Sequence, residues 1–160
     1  MNQKPMFDPE LVFWDLKGES ASECLNFLGD ALTKKGKAKE SYTQAVLKRE
    51  DVYPTGLQTP SVPIAIPHAN PEDAIENAFA IAKLEHPVIF HQMADEEQEV
   101  PVELIFMMCI AEPQEQAPVL SRILELFSDS MLKEEIYACS SADALYELLR
   151  GKMERKEKAV

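Results

Sequence analysis

The chain has 160 residues, 46% of them hydrophobic, which suits one compact domain with a sizeable core and argues against a disordered body. Its 28 acidic against 16 basic residues give a formal net charge of -12. Such a surface repels phosphate backbones, which excludes nucleic acid as a partner; it favours a protein with a basic contact face and acts mainly on the association rate.

Along the chain, the first nine residues lack a basic region followed by an apolar stretch, so no secretory signal is expected. Phe7, Leu11, Val12, Phe13 and Trp14 predict an early strand. Ser20 or Ser22 can cap a helix in which Leu25, Leu28 and Leu32 recur at helical spacing. Lys34 and Lys35 suit its negative end and Gly36 can terminate it. Ser41 and Gln44 match a capping box for a second helix with the stripe Tyr42, Ala45, Val46 and Arg49. Tyr53-Pro54-Thr55-Gly56 breaks that helix.

Ile64-Ala65-Ile66, held between prolines, predicts a short strand that stops at Pro67 and leaves His68 just past its end. Two further strands are expected at residues 78–84 and 88–90, followed by an acidic loop over 92–100. Residues 102–110 are apolar on both alternating faces, as in a strand covered on both sides. The longest apolar run, Val102 to Ala111, is interrupted by Glu103 and falls far short of the roughly 20 residues that span a bilayer. A cytoplasmic protein without direct membrane insertion is therefore expected.

Pro118 fits the first turn of a helix whose apolar face is Val119, Leu120, Ile123, Leu124 and Phe127. Two short helices follow, the last capped by Ser140 and ended by Gly151. Cys24, Cys109 and Cys139 are widely spaced and odd in number, and read as buried reduced thiols. The pattern predicts a single α/β domain over residues 1–151, with a mixed central sheet of about five strands and helices on both faces. Residues 152–160 form a charged tail expected to fray.

No phosphate-cradling, dinucleotide-binding or nucleophile-elbow motif occurs, and five glycines are too few for a Gly-rich loop. Chemistry then rests on three histidines. His86 and His91, beside the carboxylates Asp95, Glu96 and Glu97, raise a metal-dependent enzyme as one class. It lacks a convincing shared ligand face, so no metal is expected. His68 differs in following a strand and a rigid proline. A neutral imidazole attacks phosphorus near neutral pH if one tautomer is fixed and donors surround the transferred oxygens. Arg49, Thr55 and the amides near Ala69 are the candidate donors; a turn histidine bonded to a backbone carbonyl is the bland alternative.

The stretches R-E-D-V-Y-P-T-G-L (49–57) and I-A-I-P-H (64–68) resemble the mannitol/fructose class, type 2, of phosphotransferase-system A components (enzyme IIA). So do V-E-L-I-F-M-M-C-I-A (102–111) and V-L-S-R-I-L-E-L-F-S-D (119–129). The resemblance runs from about residue 48 to 149, and Tyr53-Pro54-Thr55-Gly56 with Phe90-His91-Gln92-Met93-Ala94-Asp95 is most similar to the galactitol branch. It implies that His68 is the phosphorylated nucleophile, with Arg49 beside it. Gln116 falls where mannitol-type relatives carry a second histidine; it can donate a hydrogen bond but no positive charge.

The implied donor is a histidine phosphocarrier protein, and the acceptor a cysteine of the B component (enzyme IIB), which serves the membrane permease (IIC). No cofactor is implied. Ala69, Ile66 and Val62 are expected to form an apolar docking face. The alternative is a regulatory module whose phosphorylation state controls a binding partner.

Overall fold

The structure is a computed structural model that describes residues 6–158; expectations for residues 1–5 and 159–160 lie outside it. Five strands, β1 (Val12–Leu16), β2 (Gly56–Leu57), β3 (Ile64–Ala65), β4 (Ala78–Gln92) and β5 (Asp95–Cys109), make one mixed sheet. Five helices accompany them: α1 (Ala21–Lys34), α2 (Tyr42–Val52), α3 (Pro113–Phe127), α4 (Met131–Ala138) and α5 (Ala142–Lys158).

The two long strands pair antiparallel from Ala78 opposite Cys109 out to Gln92 opposite Asp95. β1 runs parallel to β4, and β3 runs parallel to β5 with Ile64 opposite Leu104. β2 pairs antiparallel with β3 and touches β4 through Gly56 opposite Gln92. A Cβ on Gly56 would lie 2.6 Å from the carbonyl oxygen of His91, so only glycine permits this approach.

Side chains of β4 and β5 alternate between two apolar layers. Ala78, Ala80 and Ala82 face the layer of α1 and α2, where Leu25, Leu28, Leu32, Tyr42 and Val46 fill the space above small residues. Phe79, Ile81, Phe106 and Met108 face the other layer, with Val119, Ile123 and Phe127 of α3 and Leu145 and Leu149 of α5. Phe106 meets Phe79 edge-on at 4.8 Å and Phe127 at 6.2 Å. Each buried ring of this kind is worth about 1.5–3 kcal/mol of transfer free energy. The expected α/β domain with helices on both faces is therefore observed.

Several local expectations are corrected. The strands expected at 78–84 and 88–90 are one strand, with a register break between Lys83 and Val88. Pro87, which has no N–H to donate, lies in that break. The acidic stretch expected as a loop is the start of β5: Asp95, Glu96, Glu97, Gln98 and Glu99 are all exposed, so both faces of these five residues meet solvent and no alternation marks them. Ser41 makes no capping bond; its hydroxyl donates to Asp73 instead. Pro113, not Pro118, occupies the first turn of α3. Ser141, not Ser140, accepts from the Ala144 amide at the start of α5, and that helix continues past Gly151 to Lys158. Ser20 does cap α1, accepting from the Glu23 amide at 3.2 Å, and Gly36 follows that helix at φ 75°. Cys24 and Cys109 are buried free thiols, whereas Cys139 is only partly covered.

Candidate functional site

β3, paired on one side with β2 and on the other with β5, ends beside the last residues of β5, and the next residues are pinned one after another. The Ile66 amide donates to Thr55 Oγ1 at 3.1 Å and to the Thr55 carbonyl at 3.3 Å. The Pro67 carbonyl accepts from the Met108 amide at 3.0 Å, and His68 itself forms a single parallel bridge with Met108 on β5. The Ala69 carbonyl accepts from Gln116 Nε2 of α3 at 3.0 Å. Arg49 Nη1, from α2, donates to Asn70 Oδ1 at 3.4 Å.

Within this frame His68 Nδ1 lies 2.9 Å from the Ile66 carbonyl oxygen. A carbonyl only accepts, so Nδ1 carries the proton and Nε2 holds the lone pair. Nε2 makes no hydrogen bond with the described residues. The ring is 9% exposed, so it is largely covered but not sealed. Burial pushes its pKa below the ordinary 6.5; the bond to Ile66 opposes that shift and the nearby charge of Arg49 adds to it. The imidazole is thereby held neutral and nucleophilic near pH 7.

Arg49 stacks on the Tyr53 ring at 5.5 Å, and its Nε is buried without a hydrogen-bond partner. A guanidinium with one long bond and a spare donor is equipped to receive an anionic oxygen. The N-terminal turn of α3, which carries Gln116, is tied to the sheet by Asn77: it accepts from the Ala111 amide at 2.8 Å and donates to Glu115 at 2.6 Å.

The model of the family "Phosphoenolpyruvate-dependent sugar phosphotransferase system, EIIA 2" matches residues 5–152. The chain belongs to this family. The galactitol-specific EIIA component of Escherichia coli is 32% identical over 99 residues, covering 62% of this chain and 65% of that protein. The chain thus spans just under two thirds of the length of that curated relative. The mannitol-specific EIICBA component of Escherichia coli is 28% identical over 147 residues, covering 89% of this chain and 22% of that larger protein. Among solved structures, the complex of enzyme IIA and phosphorylated enzyme IIB for mannitol from Escherichia coli superposes with TM-score 0.71 at 24% identity, covering 88% of this chain and 95% of that one. The nitrogen regulatory protein IIA-Ntr from Neisseria meningitidis gives 0.71 at 22%, covering 92% and 96%. Both establish the fold.

In this EIIA chain the structure brings His68, Arg49 and Gln116 into one neighbourhood, joined through Ala69 and Asn70. It does not offer Thr55 as a phosphate donor. The single hydroxyl proton of Thr55 goes to Glu50 Oε1 at 2.8 Å, and its amide goes to Glu50 Oε2 at 2.7 Å. Ala69 contributes its carbonyl to Gln116, and the side chain is buried. The expected docking face of Ala69, Ile66 and Val62 is also corrected: all three are buried, because residues 62–69 run between the two layers. The exposed apolar groups beside Arg49 are Val52 and Tyr53.

His86 stands 81% exposed beside Glu85, and His91 lies on the exposed ribbon opposite Glu99. Among the described residues no three side chains of metal-ligating type come together, and no helix is long and apolar enough to cross a membrane. Sequence reasoning missed Glu50, Ile66 and Asn70. Asn70, two residues past the histidine and next to a proline, carried a turn signal but none for contact with Arg49.

Proposed function

We propose that the chain is a phosphoryl carrier that accepts phosphate on His68 Nε2 and passes it to a second protein. The observation that carries this is the commitment of Nδ1 to the Ile66 carbonyl, which leaves Nε2 as the free nitrogen of a ring that feels the charge of Arg49.

The Nε2 lone pair attacks the phosphorus of a phosphohistidine on a histidine phosphocarrier protein. The new N–P bond forms as the donor's N–P bond breaks, and that electron pair returns to the donor imidazole. The transition state is loose, with charge on three equatorial oxygens, so alignment and charge stabilisation dominate. Arg49 faces that charge. Gln116 and Ala69 hold the segment, and backbone amides near residue 69 complete the oxygen contacts. The proton stays on Nδ1, donated to the Ile66 oxygen throughout, so no general base is needed. In the second exchange a cysteine thiolate of the B component attacks phosphorus; an S–P bond forms, and the electron pair of the broken N–P bond returns to His68. Through the membrane permease the phosphate then reaches a sugar, of galactitol type by the similarity to that branch.

The test is incubation with phosphoenolpyruvate, the general phosphotransferase proteins and labelled phosphate, followed by mass spectrometry. An acid-labile label on the peptide bearing His68 is expected, lost in a folded His68→Ala variant and retained in His91→Ala. Label on His91, or undiminished uptake by His68→Ala, would overturn the proposal.

A further inference from the structure

His68 is held by a chain of bonds that starts at a carboxylate on α2. Glu50 receives two donors from one residue, the Thr55 amide at 2.7 Å and the Thr55 hydroxyl at 2.8 Å. A hydroxyl has one proton, so this bond fixes its rotation and turns its lone pairs elsewhere. One of them receives the Ile66 amide at 3.1 Å. The opposite side of Ile66 presents the carbonyl that accepts the Nδ1 proton of His68 at 2.9 Å. Ile66 is fully buried, so neither of its polar groups has water as a substitute.

We infer that Glu50 and Thr55 are positioning residues for His68: the carboxylate orients the threonine hydroxyl, the hydroxyl anchors Ile66, and the Ile66 carbonyl holds the ring in the tautomer with a free Nε2. Neither residue touches the phosphoryl group. The orienting carbonyl lies two residues before the nucleophile, and Pro67 between them stiffens the link. The adjacency of Arg49 and Glu50 divides α2 between two tasks, with the cation near the ring and the anion behind the strand that carries it.

The inference rests on His68 being the phosphoryl acceptor, and a test on the unphosphorylated chain separates the two. Ring nitrogen-15 shifts of His68 report the tautomer directly, and transfer from the phosphocarrier protein reports the rate. The parent protein is expected to show one tautomer, protonated at Nδ1. Thr55→Val, which removes donor and acceptor at constant shape, is expected to mix the tautomers and slow phosphoryl uptake about tenfold, with Thr55→Ser restoring both to within about twofold. Glu50→Gln, which keeps one accepting oxygen, is expected to fall between. Circular dichroism checks the fold. Should Thr55→Val fail to fold, Glu50→Gln and Thr55→Ser carry the comparison. A folded Thr55→Val or Glu50→Gln protein with the parental tautomer overturns the inference, whatever its rate. A shifted tautomer in a chain whose parent takes up no phosphate supports it and overturns only the carrier function.

Discussion

Residues 66–70 and the outer arm of the β4–β5 ribbon, residues 85–101, both carry histidine yet prepare it in opposite ways. In the first, every residue has its own partner: Ile66 is held by Thr55, Pro67 by β5, His68 by the Ile66 carbonyl, Ala69 by α3 and Asn70 by α2. In the second, strand pairing supplies the order and the side chains of His86, Ile89, His91 and the acidic run from Asp95 meet solvent. An exposed imidazole exchanges partners with water and keeps both tautomers in play. His68 has lost that freedom. The difference teaches that the ring's reactivity lies in what surrounds it, since the residue type is the same in both places.

The largest test of this contrast is the removal of the nearby cation. Arg49→Gln keeps a polar side chain on α2 but deletes the charge and the fork. Uptake of labelled phosphoryl from the phosphocarrier protein, followed by rapid quench, is expected to fall about a hundredfold, the usual cost of losing one preorganised donor at developing charge. Glu97→Gln on the exposed arm is the matched control, and should leave that rate unchanged and stability within about 0.5 kcal/mol. Equal losses in the two variants would erase the distinction between the regions.

The contrast also marks what the sequence could reveal. The I-A-I-P-H stretch placed His68 past a strand end because prolines bound a short apolar run, and the structure agrees. The apolar run in residues 102–110 identified a strand covered on both faces, and Ile105, Met107 and Cys109 against Leu104, Phe106 and Met108 now show how the two layers divide it. The stretch from Asp95 to Glu99 was illegible because solvent on both faces removes the period-two signal. Thr55 was legible as a polar group near the site but not as a partner of Glu50: an i, i+5 pair across a helix end follows no helical or strand period. Gln116 bonds the Ala69 carbonyl across 47 positions, a contact only the folded topology creates.

A smaller effect is expected from that contact. Gln116→Ala removes the side-chain donor to the Ala69 carbonyl and frees one side of the segment after His68. The net loss of stability should be about 1 kcal/mol, the ordinary value of one such bond. Uptake should fall about fivefold, less than for Arg49→Gln, since amide loss alters position rather than charge. Thermal unfolding and the same quench experiment measure both. A loss of rate as large as that of Arg49→Gln would mean that Gln116 meets the phosphoryl group directly.

The finest test is the pH dependence of uptake. Burial and then Arg49 outweigh the bond to Ile66, so the folded pKa of His68 lies below 6.5. Protonation at Nε2 removes the lone pair, so the acid limb of the uptake rate should have its midpoint below pH 6.5. In Arg49→Gln, one cause of the lowering is gone and the midpoint should move up towards 6.5. The same shift enters stability. As pH falls below 6.5 the unfolded chain takes a proton that the folded ring still refuses, so this group's contribution is present above 6.5 and is lost on the way down to the folded midpoint. His68→Ala should flatten that part of the stability curve, read from urea midpoints at successive pH values. A midpoint for uptake at or above 6.5 would mean that burial and Arg49 do not govern the ring, and the contrast between the two regions would no longer hold.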